Sequence, residues 1–309
     1  MSVYTVFDLT QLQKLALQFG VESVRSYEIL SGGSENSNYL LNAETGDFVL
    51  TLCELKSPKE AEVITNVLSH LQENNFKTSE LLPHASGANF GFHNGKPLLL
   101  KKYLHGSVQT EFDSQQLVEI GIEIAKLHRV PSPDFLPTEP SYGINAFSGL
   151  ETQYPNLHPF KEWLKLKSKE IESEIDNRLV KSLIHADIFD SNIIMTSTGP
   201  IIMDFEEACN YYRVYDIGMA IVGTCTTENT VVATKARQLI SGYQSLNNLE
   251  PLEKEKLPVF ILYAAVATAF WRFMQFNIIV PDNHQKDRYM EMAHIADNLS
   301  SITRESLFG

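Results

Sequence analysis

The first hundred residues combine two helical patterns with several short apolar stretches. Apolar residues three or four positions apart predict helices over residues 8–19 and 59–73, the first of which Gly20 ends. Short apolar runs separated by turn residues predict strands at 24–30, 39–42, 48–52, 90–92 and 98–103. Asn94-Gly95 separates the last two runs and favours a two-residue hairpin. We therefore expect a small antiparallel sheet.

Helical spacing dominates the rest of the chain. The predicted helices cover residues 114–129, 158–179, 215–222, 230–245, 258–276 and 284–301. A sheet-rich part followed by a helical part indicates the α+β class rather than alternating βαβ units. The 309 residues also exceed the size at which one core usually keeps growing. We predict two lobes, 1–104 and 105–309, which meet near residues 104–106.

Composition and charge narrow the function classes. The formal net charge is −13, from 25 Lys and Arg against 38 Asp and Glu. Such a charge argues against nucleic acid or an anionic membrane as a partner and favours a small-molecule substrate. Three cysteines without a CxxC pair predict neither a disulfide framework nor a zinc knuckle, and no signal-like segment opens the chain. The apolar run 258–271 is short for a membrane span. We expect a cytoplasmic protein.

The candidate chemistry lies in one segment, SLIHADIFDSNIIMTSTGPIIMDFEEA. His185, Asp187 and Asn192 precede a hairpin made of the apolar runs 193–195 and 201–203, and Asp204 follows it. Phosphoryl transfer requires a carboxylate that orients the attacking hydroxyl and oxygen ligands that hold magnesium against the phosphates. A solvated turn would explain any one of these residues alone. The spacing of all four predicts a site for phosphoryl transfer.

HxDxxxxN, a short hairpin and Asp-Phe together resemble the catalytic segments of the protein-kinase-like superfamily. Ala186 and Glu206 stand where protein kinases have arginine and glycine, which points to the aminoglycoside phosphotransferase and choline kinase branch. The resemblance implies a bilobal protein-kinase-like fold, ATP and Mg²⁺ as cofactors, Asp187 as base, Asn192 and Asp204 as magnesium ligands, and His185 as a brace. Asp216 resembles the aspartate that holds the catalytic loop in this superfamily, although a plain helix N-cap stays open.

The same resemblance implies where the nucleotide binds. The turn between the first two strands would cover the phosphates, with contacts from Ser31, Gly32, Gly33, Ser34, Asn36 and Asn38. The segment 99–106 would read adenine through the backbone of Lys102, Tyr103 and Leu104. An ordinary hairpin turn and a simple connecting strand are the alternatives for these two segments.

A phosphate-pairing lysine is missing from its expected strand. Thr51 stands where kinases place it. Lys56, Lys101 and Lys102 are the candidates for a substitute. Without that lysine, Glu60 or Glu62 on the next helix is better interpreted as part of a solvated face.

ENSNYLL, HADIFDSN, MDFEEACN and SGYQSL resemble the homoserine kinases of this superfamily. The resemblance makes homoserine the first choice of acceptor, with its ammonium on Glu206 or Asp190 and its carboxylate on Arg272 or Arg213. Arg272 could equally be a helix-end arginine, and we interpret His128 as a core residue. Two rivals stay open: an aminoglycoside, choline or sugar kinase of the same fold, and an inactive nucleotide-binding scaffold.

Overall fold

The computed structural model describes residues 5–30, 36–153 and 159–309. The chain forms two compact units, one made of Met1–Gly106 with Met203–Glu206, the other of Ser107–Ile202 with Glu207–Gly309. The predicted lobes, 1–104 and 105–309, differ from these units because Met203–Glu206 belongs with the first unit. The first unit is built on an antiparallel sheet and the second is mainly helical, so the predicted α+β class is confirmed.

The first unit contains a five-stranded antiparallel sheet with the strand order β1-β2-β3-β5-β4. Its strands are β1 Val24–Leu30, β2 Asn36–Ala43, β3 Gly46–Cys53, β4 Gly91–His93 and β5 Lys96–Lys102. Asn94 and Gly95 both have positive φ, 49° and 80°, and form the predicted hairpin turn between β4 and β5. Two helices accompany the sheet, α1 Leu9–Leu17 and α2 Pro58–Glu73.

The two faces of this sheet differ in chemistry because side chains alternate along each strand. One face contributes leucines to the core on which α1 packs, namely Leu41, Leu50, Leu52, Leu98 and Leu100. The opposite face contains Thr51, Cys53 and Lys101, since Thr51 pairs with Leu99 and Lys101 pairs with Val49 in the register. The leucine-rich face of the sheet thus forms part of the core, and the opposite face is more polar.

Reciprocal capping boxes begin both helices of this unit. Asp8 and Gln11 exchange side-chain and backbone hydrogen bonds at the start of α1, and Ser57 and Glu60 do the same at α2. The bonds from Ser57 lower the pKa of Glu60 against the opposing effect of burial. Glu60 is exposed, as expected of a solvated face, and it also caps the helix.

The second unit contains short antiparallel strands. A three-stranded sheet joins β6 Ser107–Val108, β8 Ile193–Thr196 and β9 Gly199–Ile202, and β8 with β9 forms the predicted hairpin. A two-stranded sheet joins β7 Lys181–Ile184 and β10 Cys209–Tyr212, and another joins β11 Thr226–Thr227 and β12 Thr230–Val231. The sequence patterns did not predict the last two pairs, since β7 and β10 are distant along the chain and β11 and β12 have only two residues each.

The helices of the second unit are α3 Ser114–Leu127, α4 Ile144–Gln153, α5 Pro159–Glu172, α6 Arg213–Thr224, α7 Ala233–Gln244, α8 Pro251–Met274, α9 Tyr289–Asp297 and α10 Arg304–Phe308. Helix α8 continues into a π-helical turn at Gln275–Ile279. This continuous stretch, Pro251–Ile279, is long and apolar enough to cross a membrane, but 72% of its most apolar window is buried inside the protein. Packing within the unit accounts for its hydropathy.

Three helix predictions for this unit were wrong in detail. Helix α4 was not predicted, and α5 ends at Glu172 instead of residue 179. Helix α8 begins at Pro251, seven residues before the predicted start at Pro258, because Pro251 occupies the first turn behind a capping box of Glu250 and Glu253. Pro258, the first residue of the predicted helix, lies inside the observed one.

Glycines allow helices of the second unit to approach other backbone closely. A Cβ on Gly242 of α7 would lie 1.9 Å from the carbonyl oxygen of Val118 in α3, and one on Gly121 of α3 would lie 2.0 Å from that of Leu239. Gly223 of α6 has a similar role against the loop after β7, because its Cβ would lie 2.4 Å from the carbonyl oxygen of Ile188. The loop and α6 are therefore in direct backbone contact.

Candidate active site

The loop after β7 is held by a buried aspartate of helix α6. The backbone N–H groups of His185 and Ala186 donate to the two carboxylate oxygens of Asp216, at 3.0 and 2.8 Å. Ala186 has a φ of 68°, a left-handed conformation that costs free energy in a residue with a Cβ. The two hydrogen bonds to Asp216 stabilise the loop in that conformation. Asp216 lies within α6, whose N-cap is Tyr212, so it is not the N-cap that we had left open.

A histidine and a tyrosine support Asp216 from behind. Nε2 of His128 lies 3.0 Å from a carboxylate oxygen of Asp216, and Nδ1 lies 3.0 Å from the hydroxyl of Tyr243. Burial raises the pKa of Asp216, but the bond from His128, the charges of His128 and His185 and the backbone donor of His185 outweigh it and lower the pKa overall. The carboxylate is therefore ionised in a fully buried place. His128 is a core residue, as expected, with a role in holding the loop.

Asp187 and Asn192 lie together in the second unit. The side-chain nitrogen of Asn192 donates to the carbonyl oxygen of Asp187 at 2.8 Å and to its carboxylate at 3.0 Å. A short 3₁₀ helix, Asp190–Asn192, gives the loop the curvature for this contact. The backbone N–H of Asp187 donates to Nδ1 of His185 at 3.2 Å, so His185 contacts the loop for which it was predicted as a brace. Because the amide nitrogen of Asn192 is engaged, its oxygen is the atom that it can offer a cation.

Tyr142 is a neighbour of the loop that sequence reasoning missed. Its hydroxyl donates to the carbonyl oxygen of Ala186 at 2.9 Å. Burial raises the pKa of Tyr142 strongly, and the nearby carboxylates of Asp187 and Glu207 raise it further. The neutral phenol is thus a hydrogen-bond donor beside the predicted base. A tyrosine in an irregular segment between α3 and α4 gives no signal of this role in the sequence.

Arg272 of helix α8 belongs to the electrostatic surroundings of the loop that contains Asp187. Its side chain is only 11% exposed, and it pairs with Glu291 at 2.7 Å. Burial lowers the pKa of Arg272 and the charge of Arg288 adds to this shift, while Glu291 and Asp187 oppose it. Burial also raises the pKa of Asp190, opposed by the N–H of Ser191 and the charge of Arg272. Two predicted acceptor residues, Arg272 and Asp190, therefore lie near each other and near Asp187.

Arg213 differs from Arg272 in its surroundings. Its guanidinium forms two bonds to the carboxylate of Glu253, at 2.7 and 2.6 Å, and a third to the carbonyl oxygen of Asn248 at 2.8 Å. Glu253 is 1% exposed, so this pair is a buried link between α6 and the start of α8. The charge of Arg213 is already neutralised by the protein, and an acceptor carboxylate would have to compete with Glu253.

In the first unit, the segment Met203–Glu206 is fixed by polar and aromatic contacts. Asp204 has a φ of 70°, again a left-handed conformation. The ring of Phe205 lies edge-on against Phe76 with centroids 6.0 Å apart. Glu206 accepts a hydrogen bond from the side-chain nitrogen of Asn36 at 2.7 Å and pairs with Lys56 at 3.5 Å. The carboxylate of Glu206, one of the predicted acceptor residues, is therefore held within this unit.

The predicted nucleotide contacts fall partly outside the described residues. Ser31, Gly32, Gly33 and Ser34 lie there, so the structure does not describe the proposed phosphate-covering turn. Beside this turn, Oδ1 of Asn38 accepts a bond from Thr51 at 2.7 Å. Oδ1 of Asn36 is buried and has no hydrogen-bond partner in the described part of the chain. Asn36 thus leaves an acceptor for a hydroxyl donor or a water molecule.

The predicted adenine contacts lie at the end of β5. The N–H of Lys102 donates to the carbonyl oxygen of Glu80 at 2.8 Å, and that of Tyr103 donates to Asp47 at 3.0 Å. The ammonium of Lys102 pairs with Glu80 at the surface. Of the three predicted residues, only the N–H of Leu104 is not occupied by one of these bonds. The adenine assignment stays a prediction.

The donors predicted for magnesium are hard oxygen ligands. A carboxylate oxygen from Asp204 and an amide oxygen from Asn192 suit Mg²⁺, which usually takes one or two protein oxygens and completes its octahedron with water and phosphate. No cluster of three or more His, Cys, Asp or Glu side chains within residues 5–30, 36–153 and 159–309 could hold a metal. The donor chemistry of Asn192 and Asp204 is thus of the kind that Mg²⁺ prefers, and magnesium binding stays a prediction.

A family model and curated relatives both identify this chain as similar to phosphotransferases. A model of the phosphotransferase enzyme family, APH, matches residues 26–249. The curated homoserine kinase of Sinorhizobium medicae is 28% identical over 273 residues, which cover 84% of this chain and 82% of that protein. The homoserine kinase of Bartonella tribocorum is 25% identical over 293 residues, which cover 92% and 91%.

Solved structures of phosphotransferases share the fold. Amicoumacin kinase, in a complex with AMP-PNP, Ca²⁺ and amicoumacin, superposes with a TM-score of 0.76 at 15% identity, covering 97% of each chain. Spectinomycin phosphotransferase, in a complex with ADP and spectinomycin, superposes with a TM-score of 0.71 at 13% identity, covering 98% of this chain and all of that one. The predicted protein-kinase-like fold of this branch is confirmed.

Proposed function

We propose that this chain, which belongs to the phosphotransferase enzyme family, transfers the γ-phosphate of ATP to the hydroxyl of homoserine and forms O-phosphohomoserine. Membership makes it a small-molecule phosphotransferase with a hydroxyl acceptor. The curated homoserine kinases that match most of its length support the acceptor. The cytoplasm is the compartment that we propose.

The observation that carries the proposal is the contact between Asn192 and Asp187 on an anchored loop. Two hydrogen bonds from Asn192 orient the carboxylate and carbonyl of Asp187, and Asp216 fixes the preceding backbone. We propose that Asp187 accepts the hydroxyl proton of the acceptor, and that Asn192 and Asp204 each supply an oxygen to magnesium. Bound magnesium would neutralise charge on the transferring phosphoryl group. Asp187 would orient the hydroxyl for direct attack on the γ-phosphorus.

We further propose that Arg272 and Asp190 recognise the acceptor. A guanidinium can bind a carboxylate through two parallel hydrogen bonds, and the burial of Arg272 strengthens such a contact by excluding water. Asp190, close enough to Arg272 for their charges to interact, offers a carboxylate for an ammonium group. Glu206 and Arg213 are the less favoured members of the predicted set, because their partners Lys56 and Glu253 are shielded from water. Arg272 also has a partner, but the side chain of Glu291 is 50% exposed and accepts from one guanidinium nitrogen.

Magnesium-dependent ADP release across several acceptors tests the proposal. Wild type should favour homoserine over 3-aminopropanol, which is homoserine without its carboxylate. Asp187→Asn should lower kcat by about 10³-fold or more, within the range by which loss of a catalytic residue slows enzymes. Arg272→Met should raise the KM for homoserine by about 10- to 100-fold and leave that for 3-aminopropanol unchanged.

The rival functions predict other results in the same assay. A kinase for choline, aminoglycosides or sugars would turn over one of those acceptors faster than homoserine, and the net charge of −13 is the observation that favours a cationic acceptor. An inactive scaffold would release ADP no faster than Asp187→Asn with any acceptor. Either result would refute the homoserine assignment, and the second would refute phosphoryl transfer itself.

A further inference from the structure

The strand that usually supplies a phosphate-pairing lysine has no cation to offer in this protein. Thr51 of β3 is 2% exposed, and its hydroxyl donates to Oδ1 of Asn38 at 2.7 Å. Kinases of this general fold use a lysine on this strand, paired with a glutamate, to hold the nucleotide phosphates. If the protein binds ATP as proposed above, another cation of the first unit must do this work, since the chain as a whole is strongly acidic.

Lys56 is placed and held for that role. It follows β3 by three residues, and its ammonium lies 3.5 Å from the carboxylate of Glu206. The two side chains are only 13% and 17% exposed, so the pair is shielded from water and screened less by salt than a surface pair. The bond from Asn36 fixes the carboxylate of Glu206 from another direction. Lys56 therefore has a positioned anionic partner of its own.

The pair belongs to the same compact unit as Asp204, the predicted magnesium ligand. Glu206 follows Asp204 by two residues, and Phe205 between them packs against Phe76. Burial raises the pKa of the Cys53 thiol, and the charges of Glu206 and Asp204 raise it further while those of Lys101 and Lys56 lower it. The charges of these two ammonium groups and two carboxylates therefore all act on Cys53, which lies on the polar face of the sheet.

The other candidate lysines lack this arrangement. Lys102 is exposed and pairs with Glu80. Lys101 contributes charge near Cys53, but it has no ion pair or hydrogen bond of its side chain within the described part of the chain. Lys56 is the one whose ammonium is both shielded and aligned by a carboxylate. Such alignment reduces the entropy that a flexible lysine loses on binding.

We propose that Lys56, held by Glu206, is the cation that contacts the nucleotide phosphates in place of the lysine missing at Thr51. This inference rests on the proposed function, because it assumes that ATP is the ligand. It also assigns Glu206 a role different from acceptor binding. In this protein the lysine of the pair would thus be Lys56, which follows β3, and the glutamate would be Glu206, which follows Asp204.

Nucleotide binding tests the inference without any turnover. Calorimetry with Mg²⁺ would measure the dissociation constants of ATP and adenosine for wild type, Lys56→Met, Lys56→Arg, Lys101→Met and Lys59→Met. Lys59 is the matched control, since it is an exposed lysine in the first turn of α2. Lys56→Met should weaken ATP about 10- to 100-fold, as expected for loss of one charge-assisted contact, and leave adenosine unchanged. Lys56→Arg should stay within about threefold of wild type.

Several results would overturn the inference. Wild-type ATP affinity in Lys56→Met, an equal loss of adenosine affinity, or a loss in Lys101→Met in place of Lys56→Met would each refute it. A thermal melt of every variant identifies a folding defect, and Lys56→Arg then decides, because it keeps the charge. If wild type binds adenosine but not ATP, the proposed function fails and this inference fails with it. If wild type binds ATP and only the Lys56 prediction fails, the proposed function stands.

Discussion

The backbone contact between Gly223 and the loop that contains Asp187 allows a test of how precisely this loop must be positioned for activity. Gly223 lies on α6, and in Gly223→Ala the new Cβ would be 2.4 Å from the carbonyl oxygen of Ile188 and 2.8 Å from the Cα of Phe189. Real Cβ atoms essentially never come within 3.0 Å of another heavy atom, and 3.4 Å is ordinary contact. The backbone must therefore move by between 3.0 − 2.4 = 0.6 Å and 3.4 − 2.4 = 1.0 Å.

A shift of this size matters because Asp187 directly precedes Ile188. A misplacement of about 1 Å in a reacting group can cost about 100-fold in rate. We expect kcat of Gly223→Ala to fall by about 10- to 100-fold, with a loss of about 1–3 kcal/mol in the free energy of unfolding, as is usual for overpacking. Steady-state kinetics and denaturant unfolding measure the two effects separately.

Gly218→Ala provides the matched control on the same helix. Its Cβ would lie 2.6 Å from the carbonyl oxygen of Phe260 in α8, so it strains a helix contact instead of the loop. It should lose comparable stability, yet keep kcat within about threefold per folded molecule. Wild-type kcat in Gly223→Ala, or an equal loss of kcat in both variants, would refute the idea that α6 sets the position of the base.

Three further predictions follow from the buried groups. The pKa of Asp216 is lowered from 3.8 in the folded chain, so the stability that its carboxylate contributes is complete above pH 3.8 and is lost as pH falls through the folded pKa. Asp216→Asn should therefore be less stable than wild type at pH 7. In urea unfolding it should also lose less stability than wild type below pH 4. Tyr142→Phe removes a donor to the loop and should lower kcat about 10-fold while the KM for ATP stays unchanged, whereas a rise in that KM alone would contradict the assignment. Burial raises the pKa of Cys53 and Cys225 to about 12, so native protein at pH 8 should resist iodoacetamide in mass spectrometry, and rapid labelling of either thiol would show that it is not buried.

Much of the fold could be predicted from the sequence because its signals are local. The short apolar runs within β2 and β3, the Asn94-Gly95 turn and the caps Asp8 and Ser57 each specify their element through neighbouring residues. Prediction failed where distant contacts decide. The strands β7 and β10 are paired across about 25 residues of intervening chain, and Pro258 lies inside a helix that packing stabilises.

The site divides in the same way. The spacing of Asp187 and Asn192 predicted that one loop carries both side chains, and the structure shows two hydrogen bonds between them that were not predicted. Tyr142 and Arg272 reach the surroundings of Asp187 from 45 and 85 residues away along the chain, and a single sequence contains no record of such proximity. The partner of Lys56 was hidden for the same reason, since Glu206 is 150 residues distant.

The membership of Met203–Glu206 in the first unit has a consequence for splitting this protein into pieces. A fragment that stops at Gly106 would lack Phe205 and Glu206, and would expose Phe76 while leaving the Lys56 ammonium without this carboxylate. If the chain is expressed as two separate fragments, we expect them to assemble into the native fold only when the second fragment supplies Met203–Glu206 to the first unit. The first hundred residues, although contiguous, are not the whole of this compact unit.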